Sequence, residues 1–185
     1  MFETLVGIEM IWAQPRRSKP QFELRSGENV LATLTWHKKG RALGQWDEQR
    51  FWFSQEGWFR RRTIIRGAPP SDDDGDDTFD ANAEPLAMFV HQGSGGTLVF
   101  PDGRLLSWKK PKFWTNGHIW VSATTELVRF QPANWRSQVT VTIQPEAATR
   151  PETALLVLLG QYLHVCATQD AETAAVVATV VPVVS

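Results

Sequence analysis

The most uniformly apolar stretch of the chain is PETALLVLLGQYLHVCA, residues 151–167. Its opening proline and glutamate suit the first turn of a helix and the positive end of the helix dipole. The apolar side chains that follow occupy every side of the helical wheel, which is typical of a helix in a membrane or one surrounded by protein. About 17 residues span about 25 Å, short of a bilayer-spanning helix, and Gly160, Gln161 and His164 interrupt the run. We therefore predict one buried helix at about residues 151–167.

Most of the remaining sequence alternates apolar and polar residues with a period of two, which is typical of half-buried strands. The clearest case is Val139–Ile143, in which valine and isoleucine alternate with threonine. The turn sequences RSGEN, SQEG and PDG separate apolar runs at the spacing of roughly 8–12 residues expected of a sandwich or barrel. We predict a mainly β, single-domain chain over residues 1–185. Its fold is a closed antiparallel β-barrel of about 10–12 strands around the buried C-terminal helix.

Two segments fall outside this pattern. Residues 67–84 contain two prolines and the acidic run SDDDGDD, which predicts a flexible loop. No register of that run supplies the alternating ligands, glycine and glutamate of an EF-hand, so no metal site is predicted. The tail, residues 168–185, is apolar and β-branched from Ala171 to Val184, and we expect it to be covered. Pairing as a last strand is the first choice, ahead of packing beneath the barrel or insertion into a partner or bilayer.

The composition of the chain further limits its expected partners and chemistry. The formal net charge is −1, so the whole chain exerts no global attraction on nucleic acid or anionic lipid. The only cysteine, Cys166, lies in the apolar helix, which excludes an intrachain disulfide and indicates a small buried hydrophobe. The N-terminal sequence MFETLVGIEM lacks the basic region of a secretory signal, and a cytoplasmic location is expected. Nine tryptophans against one tyrosine are expected to fill the barrel interior and its rims.

The sequence contains no pattern that predicts catalysis. The four histidines have neither HExxH nor i,i+4 spacing, and with a single cysteine they specify no zinc site. His164 is expected to be a core histidine. The turn QGSGG lacks the lysine and serine or threonine of a phosphate loop, and no Gly-x-Ser-x-Gly elbow is present. We predict a non-enzymatic protein without a cofactor.

Basic clusters are the feature that carries a functional prediction. If the barrel brings two or three of them to one rim, they form a pocket for the phosphate of a lipid headgroup. The candidate ligands are Lys38, Lys39, Arg60, Arg62, Lys109 and Lys110. The alternative explanation is that charged turns keep an all-β protein soluble and protect its edges. Tryptophans beside two of the clusters would also suit stacking on single-stranded nucleic acid, but the net charge argues against this as the primary role. The full clusters are Arg16, Arg17, Lys19; Lys38, Lys39, Arg41; Arg60, Arg61, Arg62, Arg66; and Lys109, Lys110, Lys112.

A hairpin motif, several tryptophans and the apolar helix together carry a resemblance. They are Asp102–Gly103–Arg104 with Trp108, then Trp114 and Trp120, the strand Val139–Ile143 and the helix Ala154–Val165. In these features the chain resembles the tubby C-terminal-like superfamily, which includes plant LURP-one-related proteins, phospholipid scramblases and tubby domains. The likeness covers roughly Ile8 to Ala167. It implies a closed barrel around a hydrophobic helix and, by similarity to tubby domains, lysine and arginine side chains that hold phosphoinositide headgroups.

The chain departs from that superfamily in two ways. Family members usually end soon after the helix, whereas this chain continues with AETAAVVATVVPVVS. The palmitoylated cysteines and calcium-binding segment of scramblases have no counterpart here, because the only cysteine is within the helix and the acidic run lies far upstream. A scramblase-like transmembrane role is disfavoured by the short helix.

The sequence therefore predicts a binding module for anionic phospholipid or phosphoinositide headgroups, cytoplasmic and peripheral to the membrane, which acts through a basic barrel rim. The alternative is a structural or protein-interaction module that uses the apolar tail, residues 171–185, or a tryptophan-rich face. That tail would then contact a protein partner or a second copy of the chain.

Overall fold

A computed structural model describes residues 2–16, 20–37, 40–57, 61–70, 79–111, 117–133 and 138–180, with side chains to residue 171. The described residues form twelve strands and one long α-helix, α1 (Thr153–Val180), and they include the short 3₁₀ helices Glu3–Leu5 and Pro145–Ala147. The strands are β1 (Met10–Ala13), β2 (Gln21–Ser26), β3 (Asn29–Trp36), β4 (Arg41–Trp46), β5 (Gln49–Glu56), β6 (Arg62–Gly67), β7 (Pro85–Gln92), β8 (Gly95–Val99), β9 (Leu105–Lys109), β10 (His118–Ser122), β11 (Thr125–Pro132) and β12 (Val139–Ile143).

The twelve strands close into an antiparallel barrel, which confirms the predicted fold class. Each strand pairs with its neighbours in sequence, and β1 closes the barrel on β12 with Met10 opposite Val141. Because consecutive strands run in opposite directions, successive connections alternate between the two ends of the barrel. We call the end where α1 begins the proximal end and the end where α1 leaves the barrel the distal end.

The barrel interior is filled by α1 and the inward-facing side chains of the strands. In β12, Val139, Val141 and Ile143 are buried while the intervening threonines are half-buried, as the period-two pattern predicts. Every residue of the helical region from Glu152 to Leu163 is buried. The prediction of a helix enclosed by protein on all sides is therefore confirmed for this segment.

Several wall residues fix the position of α1. The indole Nε1 of Trp120 donates a hydrogen bond to the carbonyl oxygen of Leu156 across 2.8 Å. Gly160 faces Phe130 so closely that a Cβ atom there would lie 2.2 Å from the ring Cζ. On another side, a Cβ at Gly44 would lie 3.2 Å from both terminal carbons of Leu158. The barrel and helix thus meet at positions where no larger residue fits without movement.

The start of α1 is tied to the hairpin between β8 and β9. Asp102 accepts hydrogen bonds from the backbone N–H and the side-chain Nε of Arg104, at 3.0 and 2.7 Å. The same arginine donates from Nη1 to the buried carboxylate of Glu152 across 3.1 Å, and Arg150 donates to the same oxygen. The Asp-Gly-Arg sequence of the hairpin therefore shapes the turn and also anchors the helix N-terminus.

The helix is longer than the sequence predicted. Burial decreases near the predicted end, since Cys166 is half-buried and residues from Ala167 to Ala171 are exposed, but the helix continues to Val180. The prediction that the tail pairs as a strand is therefore wrong through residue 180. Alanine has the highest helix propensity, and the alanines of this segment offset the strand preference of its valines. Residues 181–185 lie outside the described residues.

Two points concern the connections. Strand β6 begins at Arg62, and Arg61 lies in the connection before it. The acidic run SDDDGDD, residues 71–77, lies outside the described residues.

Candidate anion-binding site at the distal end

The charged residues are segregated between the two ends of the barrel. We counted charges in the connections and on the strand residues that border them. Described cations at the distal end are Arg16, Arg41, Arg61, Arg62, Lys109 and Lys110, whereas the carboxylates there are Glu56 and, on α1, Asp170.

The proximal end has the opposite charge. Its described carboxylates are Glu3, Glu9, Glu28, Asp47, Glu48, Asp80, Glu84, Asp102, Glu146 and Glu152. Its described cations are Arg104 and Arg150, together with the buried Arg50 and Arg66, which donate to the carbonyl oxygens of Pro69 and Ala83 in a proximal connection. The segments outside the described residues carry charges of the same sign as the end of the barrel to which their neighbouring strands lead. Those joined to distal strand ends carry Arg17, Lys19, Lys38, Lys39, Arg60, Lys112 and Arg136, and the segment joined to proximal strand ends carries the acidic run. Among the described residues, a net charge near zero thus conceals an excess of cations at one end of the barrel and of carboxylates at the other. One contact departs from this division: Phe79, which follows the acidic run, packs against the guanidinium of the distal Arg41 at 3.9 Å.

Three of the six predicted ligands can be placed. Arg62, Lys109 and Lys110 are exposed and border distal connections, on β6 and at the end of β9. Lys38, Lys39 and Arg60 lie outside the described residues. The described residues that bracket them, however, are distal strand ends, so the clusters attach to one rim of the barrel.

A cleft opens at the distal end beside α1, and we call it the histidine cleft. It has two lobes of about 240 and 210 Å³ that share His118 and His164. Lys110 lines the first lobe, and Arg61 and His91 line the second. Aromatic walls contributed by Phe130, Trp108 and Phe89 complete it.

The three imidazoles are held by contacts with the barrel wall. His118 stacks on Trp108 with the ring planes 4° apart, and its Nε2 donates to the carbonyl oxygen of Ser94 across 2.9 Å. His91 Nε2 lies 3.0 Å from the hydroxyl of Thr63. His164 is half-buried on α1 between the two lobes.

Burial lowers the pKa of each imidazole in the cleft. For His91 the positive charge of Arg61 lowers the pKa further, and Asp170 partly opposes it. For His118 the hydrogen bond to Ser94 raises the pKa, against burial and the nearby Lys110. For His164 the neighbouring His118 adds to the effect of burial. Near neutral pH these imidazoles are therefore mainly uncharged.

These pKa shifts predict how stability depends on pH. The unfolded chain binds protons on these histidines more readily than the folded protein. The free energy of unfolding is therefore highest above the unfolded-state pKa of about 6.5 and decreases as the pH falls through that value. Denaturant unfolding from neutral to mildly acidic pH measures this, and His164→Gln should flatten the decrease. A free energy that stays constant over this range would contradict the buried, neutral imidazoles.

The ion pair between Arg61 and Asp170 joins the rim to the helix. Both side chains are about half exposed, and the pair forms at the open side of the histidine cleft. An exposed pair of this kind contributes only about 0–1 kcal/mol, so another anion can replace the carboxylate at little cost.

The described side chains at this end are suited to binding an anion through charge and hydrogen bonds. Within the described part of the chain, no group of three or more histidine, cysteine or acidic side chains could hold a metal ion. Burial raises the pKa of the Cys166 thiol to about 11, so it carries little thiolate. Among the described residues, no helix combines the length and hydropathy needed to cross a bilayer.

No protein family, curated protein or solved structure matches this chain in comparisons with known proteins.

The sequence did not predict that Arg61 and three histidines lie together in one cleft. The spacing of His91, His118 and His164 carries no motif, because they come from β7, β10 and α1. Their common feature is topological: His91 and His118 lie at the distal ends of β7 and β10, and His164 lies on α1 near the point where the helix becomes exposed. An assignment of all twelve strands, with connections alternating between ends, would have placed the basic clusters at the same rim.

Proposed function

We propose that this protein is a non-enzymatic module that binds anionic membrane surfaces through the distal end of its barrel. The observation that carries the proposal is the charge polarity along the barrel axis. The cationic distal end is attracted to acidic lipid headgroups, and the carboxylates of the proximal end are repelled, so the polarity would also orient the molecule. The basic ring and the closed barrel around a buried helix support placing it with the tubby C-terminal-like superfamily.

The helical extension, residues 167–180 of α1, strengthens the case for a membrane over nucleic acid. It extends from the distal end of the barrel, where the described cations outnumber the carboxylates, and from Ala171 onward its sequence is almost uncharged. An apolar segment gains free energy in the interfacial region of a bilayer, whereas nucleic acid offers no comparable apolar phase. Basic residues and an apolar segment contribute separately to membrane attachment, and attachment is stable when two such signals act together.

Co-sedimentation with vesicles tests this function. Vesicles of phosphatidylcholine mixed with phosphatidylserine should retain the protein at low salt, and vesicles of phosphatidylcholine alone should retain less. Lys109→Gln/Lys110→Gln should weaken binding to the acidic vesicles by roughly ten- to thirtyfold, because each basic residue near the surface contributes about 1 kcal/mol.

Arg25→Gln/Arg150→Gln provides a matched control. It removes the same charge from outside the distal end, where Arg25 pairs with Glu23 and Arg150 with Glu152. This control should leave vesicle binding near that of the parent protein. Equal losses in the two double variants would mean that net charge, and not the distal end, determines binding. No retention at low salt would contradict the proposed function.

The second candidate is a protein-interaction module, favoured by the helical extension, which is exposed from Ala167 to Ala171 and apolar in sequence from Ala171 onward. In that case the extension would pair with a second copy or another protein. Sedimentation of the full chain and of a chain that ends at Asp170 distinguishes the two functions. A dimer that is lost on truncation, together with no vesicle binding, would support the interaction module.

A further inference from the structure

The histidine cleft brings together two cationic side chains and three imidazoles. Arg61 and Lys110 are exposed, one in each lobe. His118 and His164 lie where the lobes meet, and His91 completes the second lobe. Phe130, Trp108 and Phe89 contribute aromatic rings to the walls, and the two cationic side chains lie at the open side of the cleft, where a charged ligand can reach them.

We propose that the histidine cleft binds a phosphate group, carried either by a lipid headgroup or by a soluble phosphomonoester, with Arg61 and Lys110 supplying the charge. For the lipid source this inference rests on the proposed function, and for the soluble source it stands independently.

The charges around the cleft favour an anion. Its one acidic lining residue among those described is Asp170, and that carboxylate is already paired with Arg61. A phosphate offers more acceptor oxygens and more negative charge than the carboxylate, and arginine binds phosphate in a bidentate manner. Phosphate binding would therefore displace Asp170 from Arg61 and release a contact between the rim and the helical extension.

The hydrogen bonds of the imidazoles determine how these rings would contribute to phosphate binding. His118 uses its Nε2–H on Ser94, which leaves Nδ1 as an acceptor while the ring is neutral. It can donate to an anion only after it takes up a proton. The groups that face these rings are Arg61, Asp170 and Thr63 around His91, Lys110 and His164 around His118, and His118 near His164. Phosphate binding should therefore increase imidazole protonation at constant pH.

The size of the cleft restricts the ligand. Each lobe is smaller than the roughly 300–1,000 Å³ of a typical pocket for a drug-sized molecule. A phosphate group with a short polar substituent fits this space better than a large ligand. The open side would let an attached acyl-glycerol continue toward a membrane beside the helical extension.

The NMR signals of the imidazoles test directly whether the cleft binds a soluble phosphate. The chain has four histidines, and three of them line the cleft. His37 packs against Trp52 outside the cleft and precedes Lys38 and Lys39, so its signal reports phosphate bound elsewhere at the distal end. Inorganic phosphate or sn-glycerol 3-phosphate should move the signals of His91, His118 and His164 toward their protonated positions at constant pH. Chloride at matched ionic strength should not. Equal movement of all four signals would overturn the proposal that this cleft binds phosphate. So would the absence of any movement in the three signals from the cleft.

Two substitutions with opposite expected effects separate binding from a structural role. Arg61→Gln should weaken phosphate binding about tenfold, since a hydrogen bond to a charged group is lost. Asp170→Asn removes the competing carboxylate and should strengthen phosphate binding severalfold. If the pair only tethered the helix to the rim, both variants would change phosphate binding in the same direction or leave it unaltered, and either result would contradict the proposal.

Vesicles distinguish the lipid source from the soluble source. Phosphatidic acid presents a phosphomonoester, and phosphatidylglycerol presents a phosphodiester with a bulkier substituent. Preference for phosphatidic acid at matched surface charge, reduced by Arg61→Gln, would identify the lipid headgroup. Histidine shifts with soluble phosphate but no vesicle binding would support the cleft while contradicting the proposed function. Vesicle binding without any response of the three histidines to either phosphate source would support the function and overturn the cleft.

Discussion

Gly160→Ala should lower the free energy of unfolding by about 2 kcal/mol or more, although alanine normally stabilises a helix by about 1 kcal/mol relative to glycine. The new methyl group would lie 2.2, 2.6 and 2.8 Å from three ring carbons of Phe130. That ring is buried and packs edge-on against Trp108 with centroids 5.1 Å apart, so a shift that relieves the clash disturbs this contact. Chemical denaturation of the parent and variant proteins measures the difference.

A double variant tests the cause. Phe130→Leu removes the ring atoms that the new methyl group would meet, at its own cost in packing. Gly160→Ala/Phe130→Leu should therefore be less destabilised than the sum of the two single variants, which a double-mutant cycle measures. Additive losses, or a Gly160→Ala variant more stable than the parent, would contradict the close approach of α1 to β11.

Deletion of residues 171–185 should weaken binding to acidic vesicles by roughly tenfold or more and leave the unfolding transition almost unchanged. Residues from Ala167 to Ala171 are already exposed, so the barrel loses little packing. The deleted segment contains several valines, and insertion of a single valine side chain into an apolar phase is worth about 1.5 kcal/mol. The truncated chain retains Asp170 and thus the pair with Arg61.

A substitution variant separates insertion from chain length. Val176→Gln/Val177→Gln keeps the helical extension but makes it less apolar, and it should weaken vesicle binding in the same direction as the deletion. Unchanged binding in both variants would show that the basic ring acts alone. A large drop in the unfolding midpoint on deletion would show that the extension contributes to the stability of the barrel.

Together these features give the barrel one end that would attract an anionic surface. The distal end combines basic side chains, the histidine cleft and the helical extension, and the proximal end presents carboxylates. Displacement of Asp170 from Arg61 by a phosphate would couple the cleft to the extension, since the two are joined by that ion pair. The proposed orientation, with the distal end toward the lipid, follows from this arrangement.

The sequence alone was sufficient for the architecture. Period-two alternation located strands such as β12 (Val139–Ile143), and an all-apolar helix in a chain of strands required a closed wall around it. These properties are local: they depend on which faces of an element must avoid water. The end of the helix was missed because helix propensity, and not burial, sets how far α1 continues after Cys166.

The site depended on tertiary structure. His91, His118 and His164 are far apart in sequence, and they share a cleft only because β7, β10 and α1 reach the same end of the barrel. The pairing of Arg61 with Asp170 likewise joins residues separated by most of the chain. The sequence determined a closed barrel around a buried helix through the hydrophobic pattern of each element. Barrel closure decided which charges gather at one end, because electrostatic and ligand-binding properties depend on distances in space that no local pattern encodes.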